Sequence, residues 1–227
     1  MSSWKKVFAI LWTGQFFSTL SSAVVGYAVV FWLSIETGSA EVLAVSTIAS
    51  LLPQLLLGLF TGVLIDRWDR KRIMVAADLF IAVCSAVMAV LFFFGQVKLL
   101  HIYGLLALRS IGSAFHVPAL QASVPLLAPE SELLRVAGIN QVIQSISTIA
   151  GPALAALLIS VLNMTYVLLF DVIGAAIGCI SLLLIHIPNP AKPAAAQAPD
   201  LLYEMKQGLR EITRTTGLLW GFLCMIV

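Results

Sequence analysis

Four ionisable residues stand away from the ends of long apolar runs: Asp78, Arg109, His116 and Asp171. An ionisable group in hydrocarbon costs roughly 3 kcal/mol on insertion scales, so each needs a partner or a task. Arg109 lies ten residues into its run, about 15 Å deep. It can set the protonation of a nearby carboxylate or brace the bundle through backbone carbonyls. Asp171 lies about 10 Å into the last long run. A carboxyl in a low-dielectric layer is a candidate proton carrier, and it can equally brace its helix against a neighbour. Asp78 is close to a charged loop and is expected to pair with a loop arginine. His116 suits a proton relay or a hydrogen-bonded packing position. Uncharged polar faces add to these: Gln15, Ser18 and Ser22; Ser46, Ser50 and Gln54; Asn140, Gln144 and Ser147. They fit a cavity for a neutral or weakly cationic amphiphile, or hydrogen bonds between helices.

The runs that position these residues are made for a bilayer. Of 227 residues, 60% are hydrophobic and 11% charged, against about 25% charged in a soluble domain. A helix needs roughly 20 apolar residues to cross the hydrocarbon layer. Six runs qualify: Val7–Leu33, Val42–Ile65, Ile73–Phe94, Leu99–Leu127, Leu133–Leu162 and Thr165–Ile187. The first is too long for a signal peptide and is taken as a retained span. Their short connections predict antiparallel, adjacent neighbours. The expected fold is an all-α six-helix transmembrane bundle over residues 1–187. A Pro/Ala-rich linker follows at 188–200. At 201–216, Leu201, Leu202, Met205, Leu209 and Ile212 share one helical face, with Lys206, Arg210 and Arg214 on a stripe. This predicts an interfacial amphipathic helix whose cations meet anionic lipid headgroups, or a solvated helix packed on the bundle. Residues 217–227 read as the truncated start of a seventh helix, so a fragment is expected.

Lys5, Lys6, Arg67, Arg70, Lys71, Arg72, Arg135, Lys192, Lys206, Arg210 and Arg214 fall on one side of an alternating chain, and Lys98 alone on the other. The positive-inside rule puts the N-terminus and the linker in the cytoplasm, in the inner membrane of a cell. Nucleic-acid binding is not expected, since no basic patch carries interleaved aromatics. Cys84, Cys179 and Cys224 stand alone, without metal-ligand spacing, and no cofactor is expected. No hydrolase signature or P-loop occurs, so an enzyme is not expected.

The stretch "GVLIDRWDRKR" carries more pattern than topology requires. It resembles G-x-L-x-D-R-x-G-R-[RK] of the major facilitator superfamily at Gly62, Leu64, Asp66, Arg67, Arg70 and Lys71, with Asp69 in place of the second glycine. That resemblance implies a conformational latch at Gly62, Asp66, Arg67, Arg70 and Lys71. Gly62 permits close backbone approach, and Asp66 can cap the third helix. Asp69 puts the usual turn geometry in question and adds an anion that can compete with Asp66. Gly138, Ser147, Gly151, Pro152, Ala155 and Ala156 are in register with the family's antiporter motif in helix five, with three glycines replaced. Pro152 can kink that helix. The arginine of helix four, associated in the family with proton coupling, is matched in part by Arg109, with Gly112 three residues on and Ser113 four on.

"WTGQ", "DRWDRKRIMVAADL", "RSIGSAFHVPAL" and "EMKQGL" together look like the macrolide-efflux branch. The resemblance implies two inverted three-helix repeats forming one half of an alternating-access exporter, with the C-terminal half absent. Protons and a small amphiphilic, macrolide-like substrate are the implied partners. Arg109 and Asp171 would couple the proton. Gln15, Ser18, Ser22, Gln54, Asn140 and Gln144 would line the cavity. Siderophore or metabolite export, or a non-transporting membrane scaffold, are the other readings.

Overall fold

A computed structural model describes residues 3–187 of the chain. The linker, the interfacial helix and the start of helix seven lie outside the described residues. Six long helices run as α1 (Ser3–Thr37), α2 (Ala40–Arg67), α3 (Arg70–Phe93), α4 (Leu99–Leu127), α5 (Leu133–Val161) and α6 (Met164–Leu184). They sit over the six apolar runs: α1 and α2 extend theirs by up to about a turn at each end, α4 matches its run, and α6 stops short of Ile187.

The turns between them are short and chemically specified. Gly38, at φ 58°, supplies the left-handed residue after α1. Ser39 then caps α2, its Oγ accepting the Val42 N–H at 3.3 Å. Asp69 caps α3 by accepting the Arg72 N–H at 3.0 Å. This corrects the expectation for Asp66, which lies in the last turn of α2. The residue that departs from the glycine pattern is the one that starts the next helix. Gly95, at φ 64°, ends α3.

Five of the six helices are long and apolar enough to cross a membrane. The sixth, α4, has the length but carries Arg109, His116, Gln121 and several serines. It lies between α2 and α3, and Arg109, Ser110, His116 and Ser123 are buried against protein, while Gln121 is exposed. The large hydrophobics Val83, Val87, Ile173, Ile180 and Leu183 point outward from α3 and α6. That is how a multi-pass membrane protein meets lipid.

Packing departs from chain order. Only α3 and α4 are both consecutive and extensively packed. The other consecutive pairs touch sparsely, which corrects the expectation of adjacent neighbours. The helices form a row, α2–α4–α3–α6–α1–α5. Exchanging α1, α2 and α3 for α4, α5 and α6 leaves that row unchanged apart from its direction. Since the chain alternates direction, this is the arrangement of two inverted three-helix repeats. The reason for the interleaving is visible along the α1–α6 seam. A Cβ at Gly14 would overlap Ser181, and one at Gly174 would overlap Ser21. Small residues let these two backbones approach where larger ones would hold them apart.

Two apolar clusters bracket the middle of the bundle. One contains Leu11, Ile65, Met74, Ala119 and Leu182, on the N-terminal side. The other contains Val29, Leu33, Met88, Ile102 and Leu168, on the far side. The charged residues lie between them.

Candidate functional site: two buried polar layers and an amide-lined cavity

The same four helices build two polar layers. In the first, Arg109 of α4 pairs with Asp171 of α6. Ser85 of α3 donates to Asp171 Oδ2 at 2.6 Å and also meets the Arg109 guanidinium. The other arm of Arg109 reaches Ser22 Oγ of α1 at 3.0 Å. Arg109 is 8% exposed and Asp171 1%. The bilayer cost of each charge is thus offset by the other, with serine hydroxyls supplying further partners. Of the two roles open for Arg109, the one observed is a charge pair, not bracing through backbone carbonyls alone.

The second layer lies seven residues away on α3, α4 and α6, about 10 Å of helix. Asp78 of α3 is 3% exposed and accepts from Ser18 Oγ of α1 at 3.1 Å. His116 Nε2 of α4 lies 3.3 Å from Asp78 Oδ1. Gly178 of α6 makes room, since a Cβ there would stand 3.1 Å from Asp78 Oδ2. Asp78 therefore pairs with His116, not with a loop arginine as expected. The loop cations reach elsewhere. Arg70 Nη1 donates to the Ala122 carbonyl at 2.6 Å, and Lys71 Nζ to the Ile185 carbonyl at 2.7 Å, at the C-terminus of α6. A cation there complements the negative end of the helix dipole.

A cavity of about 410 Å³ opens between α1, α4 and α5 on the N-terminal side. Of the residues expected to line a substrate cavity, Gln15, Asn140 and Gln144 line this one, and Ser18, Ser22 and Gln54 lie outside it. Ser18 and Ser22 are drawn inward to Asp78 and Arg109. The Gln54 backbone N–H donates to Ser110 Oγ, within the α2–α4 contact. The wall also holds Trp12, His116, Gln121 and Gln141, which were missed as cavity residues. A signal existed: Ala137, Asn140, Gln141 and Gln144 repeat at helical spacing on α5, as do Val117, Leu120, Gln121 and Val124 on α4. Trp12 Nε1 donates to Asn140 Oδ1 across the wall. Gln15 is 2% exposed, yet neither end of its amide has a hydrogen-bond partner among the described residues.

On α5, Gly151 faces Tyr27 and Ala23 of α1, and Ser147 is buried. Pro152 sits within one continuous helix. No described atom would touch a Cβ at Gly138 or Gly62, so the close approach expected at Gly62 is not made within this bundle.

The sequence matches the Major Facilitator Superfamily along residues 11–227. It is 40% identical over 230 residues to Macrolide efflux protein A of Streptococcus pyogenes, covering 100% of this chain and 57% of that protein. It is 41% identical over 194 residues to Macrolide efflux protein A of Enterococcus faecalis, covering 84% of this chain and 60% of that one. An uncharacterized MFS-type transporter of Bacillus subtilis, YfiS, is 30% identical over 180 residues, covering 78% of this chain and 42% of its own length. The chain thus spans a little over half the length of the relatives it matches most fully. The chain belongs to the Major Facilitator Superfamily, and within it resembles the macrolide-efflux branch.

Proposed function

We propose that the bundle is the N-terminal half of a secondary exporter that moves a macrolide-like amphiphile out of the cell by alternating access, driven by protons. The observation that carries this is the amide-lined cavity beside a buried, charge-paired core. The unpartnered amide of Gln15 supports a ligand role, because a buried polar group without a partner costs about 1–3 kcal/mol. Cost of that kind is expected at a site that a ligand completes. The names of the relatives point to a macrolide as cargo. The cation bias puts the N-terminus in the cytoplasm, so the cavity opens toward the drug.

Arg109 and Asp171 join α4 to α6, and through Ser22 and Ser85 to α1 and α3. Protonation of that node would loosen four helices at once. Gly62, Asp66, Arg67, Arg70 and Lys71 would latch this half to its counterpart. Of the motif Gly138, Ser147, Gly151 and Pro152, Gly151 against Tyr27 and Ala23 would set the α1–α5 crossing that opens and closes the cavity.

The test is accumulation of radiolabelled erythromycin in bacteria expressing the full-length transporter, with and without a protonophore. Lower accumulation that the protonophore restores is expected. Accumulation equal to an empty-vector control, with the protein present in the membrane, would remove the macrolide reading.

A further inference from the structure

His116 belongs to two sites at once. Its ring lines the cavity, and its Nε2 faces the buried Asp78 carboxylate at 3.3 Å. The contact is close but out of hydrogen-bond alignment: His116 Nε2 and Asp78 Oδ2 are both buried without a hydrogen-bond partner among the described residues. A buried carboxylate and imidazole left unsatisfied are costly, and a proton between them would remedy much of that cost. The neighbouring layer shows what a settled pair looks like, with Asp171 held by a guanidinium and a hydroxyl.

We propose that His116 and Asp78 form a second proton-binding site, separate from Arg109–Asp171, whose proton is displaced when cargo fills the cavity. The inference rests on the exporter reading. With the cavity open, water delivers a proton to the cavity-facing side of the His116 ring, and the imidazolium turns its Nε2–H toward the Asp78 carboxylate. Cargo then excludes water from one face of the ring. Loss of hydration disfavours the charged ring, and the proton returns to the departing water. One proton is bound and one released, with no other reactant.

The groups that face the pair are uncharged or already paired. Ser18 of α1 donates to Asp78 at 3.1 Å. From α6, Gly178 abuts the carboxylate, and the Cys179 thiol lies within its electrostatic reach while donating to the Val75 carbonyl. Across the cavity, α5 offers the uncharged amides Asn140 and Gln144. Arg109 and Asp171 neutralise each other two turns away.

The experiment is cargo-induced proton release. Full-length transporter in detergent and weak buffer receives erythromycin adjusted to the same pH. A pH dye reads the proton, and radioligand binding is measured in parallel. Wild type is expected to release protons in proportion to drug bound. His116→Gln alters the cavity wall, so it is scored as protons released per drug bound, and that ratio should fall to zero. Asp78→Asn is the second variant, with thermal unfolding confirming that it folds, and it should likewise bind without release. Release from both variants equal to wild type overturns the site. Drug bound by wild type without proton release overturns it as well. No binding by folded wild type removes the exporter reading for this cargo, and the inference with it.

Discussion

The two buried pairs use the same four helices and opposite designs. Arg109–Asp171 is saturated: a guanidinium, a carboxylate and two serines satisfy one another. His116–Asp78 is left open, with one side on a cavity and polar atoms without partners. Each helix supplies a residue to each layer, so the difference is not one of position in the fold. It comes from side-chain chemistry. A fixed planar cation can satisfy a carboxylate at several angles at once. An imidazole has one face to offer and a proton that comes and goes near neutrality. Saturation makes a pivot that holds helices together, and openness makes a group that can respond.

The largest expected effect falls on the saturated pair. Arg109→Leu strands the Asp171 charge and should destabilise by about 3–5 kcal/mol. His116→Leu leaves Asp78 with Ser18 and should cost about 1 kcal/mol. Thermal unfolding in detergent compares them, and equal losses would erase the distinction. Adding Asp171→Leu to Arg109→Leu should recover much of the loss, because the stranded charge is gone. Failure to recover would mean that Arg109 acts through packing.

Next in size is the seam behind the open pair. Gly178→Ala puts a Cβ 3.0 Å from Ser18 Cβ and 3.1 Å from Asp78 Oδ2. It should cost about 1 kcal/mol as the neighbours give way. It should also shift cargo-linked proton release, which a purely structural glycine would leave alone. Asp69→Ala removes the α3 cap near the open layer and should cost about 1 kcal/mol without altering proton release.

The smallest effect has the opposite sign. Gln15→Met replaces an unpartnered amide with an apolar chain of similar length, so the melting temperature should hold or rise. Erythromycin binding should weaken. A fall in both would mean that Gln15 is structural.

The six helices and the cation asymmetry were legible in the sequence, because hydrophobic runs and short charged loops are local signals. Arg109 and Asp171 were legible as buried charges that each need a partner or a task, but their direct pairing was not. The order of helices was not, because it depends on which small residues meet. Gly14 finds Ser181 and Gly174 finds Ser21, contacts between the two ends of the bundle's sequence. For the same reason Asp78 was assigned to the nearby loop, when α1 and α4 bring Ser18 and His116 to it. Ser18 and Ser22 looked like cavity residues because their helix face is polar. Only packing reveals that this polarity serves buried charges.

The central claim is that proton flow drives drug movement through this fold. The most direct measurement is uptake of radiolabelled erythromycin by proteoliposomes holding the purified full-length transporter, with and without an imposed pH gradient. The account predicts uptake that follows the gradient, collapses when an ionophore dissipates it, and is lost in His116→Gln. Uptake that is the same with and without the gradient would contradict it.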